Sequence, residues 1–252
     1  MESSQNIINI WNDEIPYDNG EKAEMTIFLP EEKKSTGRAI IICPGGAYYF
    51  HAWEPEGIDW APFFNQMGIA AFVLKYRMPK GNPKVPINDA EQAIKIVRKN
   101  AEKWKIDPKN VGIMGSSAGG HLASTIATHS TGDAKPDFQI LFYPVITMDS
   151  SFAELTSKKN FLGENPSNEL VNLYSNELQV NKETPRAFIT LSSDDTLVLP
   201  KNGVSYYLAC NEHGVWASLH IYPTCGHGWG FRAKFDFYLE MLRELKSWLQ
   251  SF

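Results

Sequence analysis

The stretch Val111–His121 reads VGIMGSSAGGH and joins a short apolar run to a glycine-rich turn. The turn fits the pattern G-x-S-x-G, with its central serine at Ser117. This pattern requires a sharp turn between a buried strand and a helix. Because Gly115 and Gly119 lack Cβ atoms, the strand and the helix can approach closely there. The stretch therefore predicts a serine hydroxyl presented at the start of a helix, where the helix dipole favours developing negative charge.

Further apolar runs along the chain are typical of strands buried on both faces of a sheet. They lie at residues 38–43, 69–74, 138–143, 187–191 and 218–222. Between the runs, apolar residues three or four positions apart predict amphipathic helices over Ile87–Trp104 and Phe235–Leu249. This alternation predicts an α/β fold, a mostly parallel sheet with helices on both faces. Functional residues of such sheets lie at the carboxyl ends of the strands.

One segment, Met148–Glu183, interrupts this alternation because it is polar, irregular and longer than a normal connection. We interpret it as a cap-like insertion over the sheet edge, within a single domain that covers residues 1–252. The length is ordinary for one α/β domain.

Composition excludes several classes of protein. The 252 residues carry 24 basic and 29 acidic side chains, a net charge of −5, and 43 % are hydrophobic. A mildly acidic chain gives no electrostatic basis for binding nucleic acid. The longest apolar run is far shorter than the roughly 18 residues that span a bilayer, so we expect no membrane segment.

The first five residues, MESSQ, carry no positive charge and precede no apolar run of signal-peptide length. We therefore expect a cytoplasmic protein, or an extracytoplasmic one if a leader has been removed. The three cysteines are an odd number with no C-x-x-C pair, so we expect free thiols and no metal site.

A serine nucleophile needs a base, and six histidines are available. In the α/β-hydrolase order of serine, acid and histidine, His51 comes too early to be the base. Ordinary structural roles suit the four histidines within or at the ends of predicted helices and strands, at positions 121, 129, 213 and 220. His227 differs because it lies in the glycine-rich loop TCGHGWG, directly after a predicted strand. We therefore predict His227 as the general base.

The acid that orients the imidazole is expected after the preceding strand, in the loop SSDDT at residues 192–196. Asp195 is our first choice, and Asp194 is the alternative. If Asp195 is the acid, Asp194 has a structural role as a turn cap.

The stretch PGGAY at residues 44–48 follows the predicted strand at 38–43. Consecutive glycines allow backbone N–H groups to turn towards a tetrahedral intermediate. We expect this loop to form an oxyanion hole together with the N–H of Ala118, the residue after the serine.

These motifs resemble those of α/β-hydrolase serine esterases, in the acetylxylan and feruloyl esterase branch related to hormone-sensitive-lipase-type esterases. The resemblance runs from about Asn9 to Leu249 and rests on six stretches: PGGAY at 44–48, KYR at 75–77, GSSAGGH at 115–121, FYPV at 142–145, DDTLV at 194–198 and CGHG at 225–228. It implies the α/β-hydrolase fold, hydrolysis of carboxylic esters, often acyl groups on plant cell-wall sugars, and Gly45, Gly46 and Ala118 as the oxyanion donors.

The sequence departs from the family pattern at three positions. Pro44 replaces the first histidine of H-G-G-G, Ala47 replaces its third glycine, and Cys225 replaces the first glycine of G-G-H-G. Because alanine still carries an N–H group, Ala47 weakens the oxyanion assignment only slightly.

The resulting hypothesis is a serine esterase that needs no cofactor and acts on a small-molecule or oligosaccharide ester. Tyr48, His51 and Trp229 are our candidates for binding substrate, with plain core and rim packing as the alternative for the aromatic side chains around the site. A homodimer is compatible with the sequence.

Two other functions stay open at this point. The first is a peptidase of the same fold, although such enzymes usually carry a large gating domain for which 252 residues leave no room. The second is a non-catalytic binding protein on a hydrolase scaffold. Such proteins commonly lose a triad residue, whereas this sequence retains a candidate for each.

Overall fold

A computed structural model describes residues 6–12 and 14–252. Residues 1–5, on which the expectation of no signal peptide rests, lie outside the described residues. The centre of the fold is an eight-stranded sheet in the order β1-β2-β4-β3-β5-β6-β7-β8. Its strands are β1 (Asn6–Asn9), β2 (Glu24–Phe28), β3 (Ala39–Cys43), β4 (Ala70–Lys75), β5 (Val111–Ser116), β6 (Phe138–Phe142), β7 (Arg186–Ser192) and β8 (Ala217–Tyr222).

The six strands predicted from apolar runs are confirmed as β3 to β8. They lie side by side in the order β4-β3-β5-β6-β7-β8, and each neighbouring pair is parallel. Two strands that were not predicted, β1 and β2, extend one edge of the sheet by antiparallel pairing. With helices on both faces, the sheet has the predicted α/β-hydrolase architecture.

The helices that accompany the sheet are α1 (Ala61–Gln66), α2 (Lys84–Lys99), α3 (Ala101–Trp104), α4 (Ala118–His129), α5 (Leu155–Leu162), α6 (Asn168–Leu173), α7 (Lys201–Glu212) and α8 (Tyr238–Leu249). The helix predicted over Ile87–Trp104 is instead divided, because α2 ends at Lys99 and Asn100 adopts a non-helical backbone between α2 and α3. The predicted C-terminal helix is confirmed, although it begins at Tyr238 rather than at Phe235.

The core lies in two layers, one on each face of the sheet. Along β3 the side chain of Ile41 packs into the layer that contains α2 and α4, whereas Ile40 and Ile42 pack into the layer that contains α1 and α8. All five side chains of β3 are buried. Burial on both faces explains why this strand is a continuous apolar run in the sequence.

The segment from Met148 to Glu183 contains α5, α6 and a 3₁₀ turn at Asn176–Leu178. Glu154 caps the start of α5 by accepting hydrogen bonds from the N–H groups of Thr156 and Ser157. The side chain of Asn176 joins the segment to α4, because its amide donates to the carbonyl oxygen of His121. These contacts agree with an insertion that is anchored on the domain, which stays our interpretation of this segment.

No helix within the described part of the chain has the length and apolarity needed to cross a bilayer. The three cysteines are free thiols: Cys43 and Cys210 are buried, and Cys225 is partly exposed.

Candidate active site

Ser117 lies on the sharp turn between β5 and α4. Its backbone has a φ of 53° and a ψ of −122°, a conformation that is strained for a residue with a side chain. A Cβ atom on Gly115 would lie 2.0 Å from the carbonyl oxygen of Gly119, and one on Gly119 would lie 2.0 Å from that of Cys43. The two glycines therefore allow the close approach of strand and helix on which the turn depends.

Ser117, His227 and Asp195 form one chain of hydrogen bonds. The Nε2 atom of His227 lies 2.8 Å from the Oγ atom of Ser117, and its Nδ1 atom lies 2.6 Å from the Oδ2 atom of Asp195. With Nδ1–H donating to the carboxylate, Nε2 is left to accept the proton of the serine hydroxyl. The three residues come from the ends of β5, β7 and β8, so the parallel sheet brings them together.

The second oxygen of the Asp195 carboxylate is also hydrogen-bonded. Its Oδ1 atom accepts hydrogen bonds from the N–H groups of Leu197 and Val198, each at 2.9 Å, and the residue is buried. Asp194 instead points to the loop that carries His227, where it accepts hydrogen bonds from the N–H groups of Cys225 and Gly226. Of the two aspartates proposed for the acid, the structure thus brings Asp195 to the imidazole.

Three backbone N–H groups near Ser117 are candidates for an oxyanion hole. Those of Gly46, Ala47 and Ala118 have no acceptor among the residues that the structure describes. Ala118 is the first residue of α4, where N–H groups lack partners within the helix. A Cβ atom on Gly46, whose φ is +127°, would lie 2.2 Å from the carbonyl oxygen of Phe50, so only glycine fits there.

The prediction that Gly45 donates to the oxyanion is wrong. Its N–H already donates to the Oε2 atom of Glu56, at 2.8 Å, in the interior of the protein. Gly45 is nevertheless needed at its position, because a Cβ atom there would lie 2.6 Å from the carbonyl oxygen of Ser116 and 2.9 Å from the Cβ atom of Ser117. Ala47, whose N–H has no acceptor among the described residues, replaces Gly45 as a candidate donor to the oxyanion.

The backbone of this loop is strained and is held by the insertion. Ala47 and Tyr48 have φ values of 52° and 57°, in the left-handed region that side chains disfavour. The side-chain amide of Asn160, on α5, donates to the carbonyl oxygen of Ala47 at 2.8 Å. Such strain persists only where surrounding contacts fix the backbone. Asn160 is one of these contacts, and no motif in the sequence points to it.

Tyr48 is buried in the core, contrary to the prediction that it binds substrate. It is 2 % exposed, its hydroxyl lies 2.9 Å from the Nδ1 atom of His121, and its ring stacks on Phe161. The side chain therefore joins the loop to the core and leaves no face for a ligand.

Trp229 is also a core residue rather than a substrate-binding one. It is 5 % exposed, its indole N–H donates to the hydroxyl of Ser192, and its ring stacks on Phe235 at a centroid distance of 4.1 Å. For both aromatic residues the alternative of plain packing is the one that the structure supports.

A cavity of about 530 Å³ lies over Ser117 and His227. Its further lining includes Phe50, His51, Trp53, Leu197 and Arg232. His51 is thus the one candidate for binding substrate that the structure places on the cavity wall. Burial is the largest cause that lowers the pKa of His51, to about 4, so its imidazole is neutral at neutral pH.

A larger cavity of about 830 Å³ lies beside α5 and α6, lined by residues of the insertion, and Ser117 and His227 are not part of its wall. The smaller cavity is the one that concerns the chemistry, because it contains the serine and the imidazole. Across residues 6–12 and 14–252, no group of three or more His, Cys, Asp or Glu side chains is placed to hold a metal ion.

His121 packs beneath the turn, as its position four residues after Ser117 suggests. It is fully buried, and its Nε2 atom lies 2.8 Å from the carbonyl oxygen of Tyr174. Burial lowers the pKa of His121 to about 4, which leaves the ring neutral and free to bond to Tyr48 and Tyr174.

Two buried residues at the site, Glu56 and Tyr143, were not predicted to have a role. Glu56 follows the predicted oxyanion loop without any motif, and its carboxylate accepts the O–H of Tyr143 at 2.9 Å. Tyr143 belongs to the stretch FYPV, which the resemblance included without a role for this side chain. Its ring packs against that of His227 at a centroid distance of 4.8 Å.

The chain is similar to known esterases and xylan-degrading enzymes over most of its length. The model of the BD-FAE family matches residues 25–209. An acetylxylan esterase of Xylanibacter ruminicola is 44 % identical over 234 residues, which are 91 % of this chain and 48 % of that protein. Endo-1,4-beta-xylanase B of Butyrivibrio fibrisolvens is 32 % identical over 204 residues, which are 75 % of this chain and 32 % of that protein. The chain thus spans about half the length of the first relative and about a third of the second.

Among solved structures, that of an acetyl ester-xyloside bifunctional hydrolase from Caldicellulosiruptor lactoaceticus is similar over nearly its whole length. The two chains superpose with a TM-score of 0.92 at 35 % sequence identity, over 98 % of this chain and 96 % of the other.

Proposed function

The chain belongs to the BD-FAE family, and from that premise we propose that it is a serine carboxylesterase. The observation that carries the proposal is the hydrogen-bonded chain from Ser117 through His227 to Asp195, at 2.8 and 2.6 Å. We propose that it removes short acyl groups, acetyl above all, from carbohydrate esters such as acetylated xylan oligosaccharides.

In the first half of the proposed reaction, the Oγ atom of Ser117 attacks the ester carbonyl carbon while the Nε2 atom of His227 takes the hydroxyl proton. Asp195 holds the imidazole in the correct orientation and stabilises the imidazolium that forms. The tetrahedral oxyanion accepts hydrogen bonds from the N–H groups of Gly46, Ala47 and Ala118. Donors of this kind are each worth about 10²–10³ in rate. The sugar alkoxide then leaves with the proton from His227.

In the second half, water attacks the acyl group on Ser117 and gives its proton to His227. The tetrahedral intermediate collapses, the proton returns to the Oγ atom of Ser117, and the carboxylic acid is released. The protein's own residues supply every proton transfer in this cycle. Burial of Asp195 and the partial burial of His227 limit the water that competes for their hydrogen bond.

Two observations support the choice of an acetylated sugar as substrate. The relatives that match most of this chain include an acetylxylan esterase and an acetyl ester-xyloside hydrolase. The cavity over Ser117 also has aromatic rings, Phe50 and Trp53, in its wall. Aromatic rings provide flat apolar faces on which sugar rings can pack. His51, neutral and beside them, is our candidate for a polar contact with the substrate.

The proposal is tested by initial rates on p-nitrophenyl acetate, butyrate and octanoate, and by acetate release from acetylated xylo-oligosaccharides. We expect activity that falls with acyl length and acetate release from the sugar. An enzyme that cleaves aminoacyl-nitroanilides but no acetyl ester would instead be a peptidase of this fold. Ligand binding without turnover, together with no labelling by a fluorophosphonate, would identify a non-catalytic homologue.

A further inference from the structure

The carboxylate of Glu56 is buried in the wall of the cavity, although it belongs to none of the three triad positions. The residue is 4 % exposed. Both of its oxygens are engaged: Oε2 accepts the N–H of Gly45 at 2.8 Å, and Oε1 accepts the O–H of Tyr143 at 2.9 Å.

The two partners of Glu56 connect it to different loops of the site. Gly45 directly precedes Gly46 and Ala47, whose N–H groups are proposed to bind the oxyanion. The hydroxyl of Tyr143 also accepts the N–H of Gly230 at 2.9 Å, at the end of the loop that carries His227. One carboxylate thus connects the oxyanion loop to the histidine loop through a single tyrosine.

The contact of Tyr143 with His227 strengthens this connection. The tyrosine ring lies edge-on to the imidazole, with 4.8 Å between ring centroids, and the tyrosine is itself 1 % exposed. Its backbone φ of 34° is unusual for a residue with a side chain, and its N–H donates to the carbonyl oxygen of Thr190 on β7. The ring therefore has little freedom to move away from the imidazole.

A buried carboxylate is costly unless it is fully hydrogen-bonded, so its presence here calls for a reason. Burial raises the pKa of Glu56, whereas the hydrogen bonds from Tyr143 and Gly45 act in the opposite direction. A hydrophobic side chain of similar size would avoid the cost of burial. It would also leave two donors, the N–H of Gly45 and the O–H of Tyr143, without acceptors.

We propose that Glu56 is a positioning residue that fixes the oxyanion loop and the His227 loop relative to Ser117. It holds the peptide of Gly45 so that the next two N–H groups stay free for the oxyanion. Through Tyr143 and Gly230 it also limits the displacement of the imidazole. Glu56 acts through these neighbours and transfers no proton. This inference rests on the proposed esterase function and assigns a further residue to the same site.

The test compares wild type with Glu56→Gln, Tyr143→Phe and the double variant, on p-nitrophenyl acetate. The side-chain amide introduced by Glu56→Gln retains one acceptor oxygen, so one of the two donors loses its partner while the volume is preserved. We expect kcat to fall about 10- to 100-fold in Glu56→Gln with KM within about threefold, because the loss concerns transition-state contacts. We expect the double variant to lose less than the product of the single losses, because both residues act in one network.

Two readouts separate positioning from plain structural support. The inhibition constant of a trifluoromethyl ketone, which forms a tetrahedral adduct with the serine, should rise by the same factor by which kcat/KM falls. Rates are expressed per active site titrated with a fluorophosphonate, so that unfolded protein does not contribute to the rate per site.

Asp59→Asn is the matched control, because it removes one carboxylate charge at an exposed position three residues after Glu56. We expect wild-type kcat in that variant.

A Glu56→Gln enzyme with kcat within about twofold of wild type, or with its loss confined to KM, overturns the inference. If Glu56→Gln does not fold, Tyr143→Phe decides by the same criteria. Ser117→Ala is measured beside them. If Ser117→Ala is inactive and Glu56→Gln is fully active, the positioning role fails while the proposed function stands. If Ser117→Ala retains full activity, the proposed function itself fails.

Discussion

Asp194 and Asp195 are adjacent in the sequence, but their carboxylates hold different parts of the site. Asp195 accepts the Nδ1–H of His227 at 2.6 Å, and Asp194 accepts the N–H groups of Cys225 and Gly226 at 3.2 and 2.8 Å. One aspartate thus orients the imidazole, and the other fixes the backbone of the loop from which the imidazole extends.

This division predicts different losses in the two amide variants. We expect Asp195→Asn to lower kcat on p-nitrophenyl acetate by about 10³–10⁴, because the amide favours the wrong imidazole tautomer. Asp194→Asn retains an acceptor oxygen for the loop, and we expect a loss of less than about 30-fold. Steady-state kinetics of both variants checks this. Losses of equal size, or a larger loss in Asp194→Asn, would reverse the assignment of the acid.

The contact between the insertion and the oxyanion loop predicts a second effect on catalysis. Asn160→Ala removes the donor to the carbonyl oxygen of Ala47 and frees a strained backbone. We expect kcat to fall about 5- to 50-fold with KM nearly unchanged, because a displaced oxyanion donor weakens transition-state binding. Asn165→Ala, at an exposed position of the same segment, is the control and should behave as wild type. Equal kcat in the two variants would show that the insertion does not hold the loop.

Buried neutral imidazoles predict the pH dependence of folding stability. Burial lowers the pKa values of His121 and His51 to about 4, whereas an imidazole in the unfolded chain has a pKa of about 6.5. As pH falls below about 6.5, the unfolded state binds protons that the folded state does not bind. The free energy of unfolding therefore decreases between about pH 6.5 and pH 4, by about 3 kcal/mol for His121 alone.

Urea unfolding at several pH values between about 7.5 and 4 measures this decrease. His121→Gln removes one titrating group, so its stability should depend less steeply on pH than that of wild type. A stability profile that stays flat over this interval in the wild type would contradict the buried, neutral state of these rings.

A buried ion pair beside the sheet predicts a large effect on stability. Arg77 and Asp89 are both fully buried, and the Nη2 atom of Arg77 lies 2.7 Å from the Oδ1 atom of Asp89. Asp89→Asn leaves the guanidinium charge uncompensated, which we expect to cost about 3–5 kcal/mol in the free energy of unfolding. Glu240→Gln removes the exposed partner of Arg243 and should change stability little. Equal unfolding midpoints for the two variants would argue against this role of the pair.

Much of the fold was predictable because the signals are local. The central strands are continuous apolar runs, as β3 shows, and the turn at Ser117 depends on two glycines whose spacing is visible in the sequence. β1 was missed because it is short and mostly exposed, and β2 because Glu24 and Thr26 interrupt its apolar pattern. The break at Asn100 was missed because apolar spacing continues through α2 and α3.

The parts of the site that were predicted wrongly depend on contacts between distant parts of the chain. Nothing local shows that the N–H of Gly45 is bonded to Glu56, or that Tyr48 turns inward onto Phe161. The residue type of an aromatic side chain beside a catalytic motif does not determine whether the side chain faces a ligand or the core. Tertiary packing decides between the two, and for Tyr48 and Trp229 it favours the core.

Serine-dependent deacetylation of a sugar is tested by acetate release from acetylated xylo-oligosaccharides by wild type and Ser117→Ala, measured as initial rates at equal concentrations of folded protein. We predict that wild type releases acetate and that the variant is slower by at least about 10³-fold, because it lacks the nucleophile. A Ser117→Ala protein that releases acetate at the wild-type rate would contradict the role of Ser117 as the nucleophile.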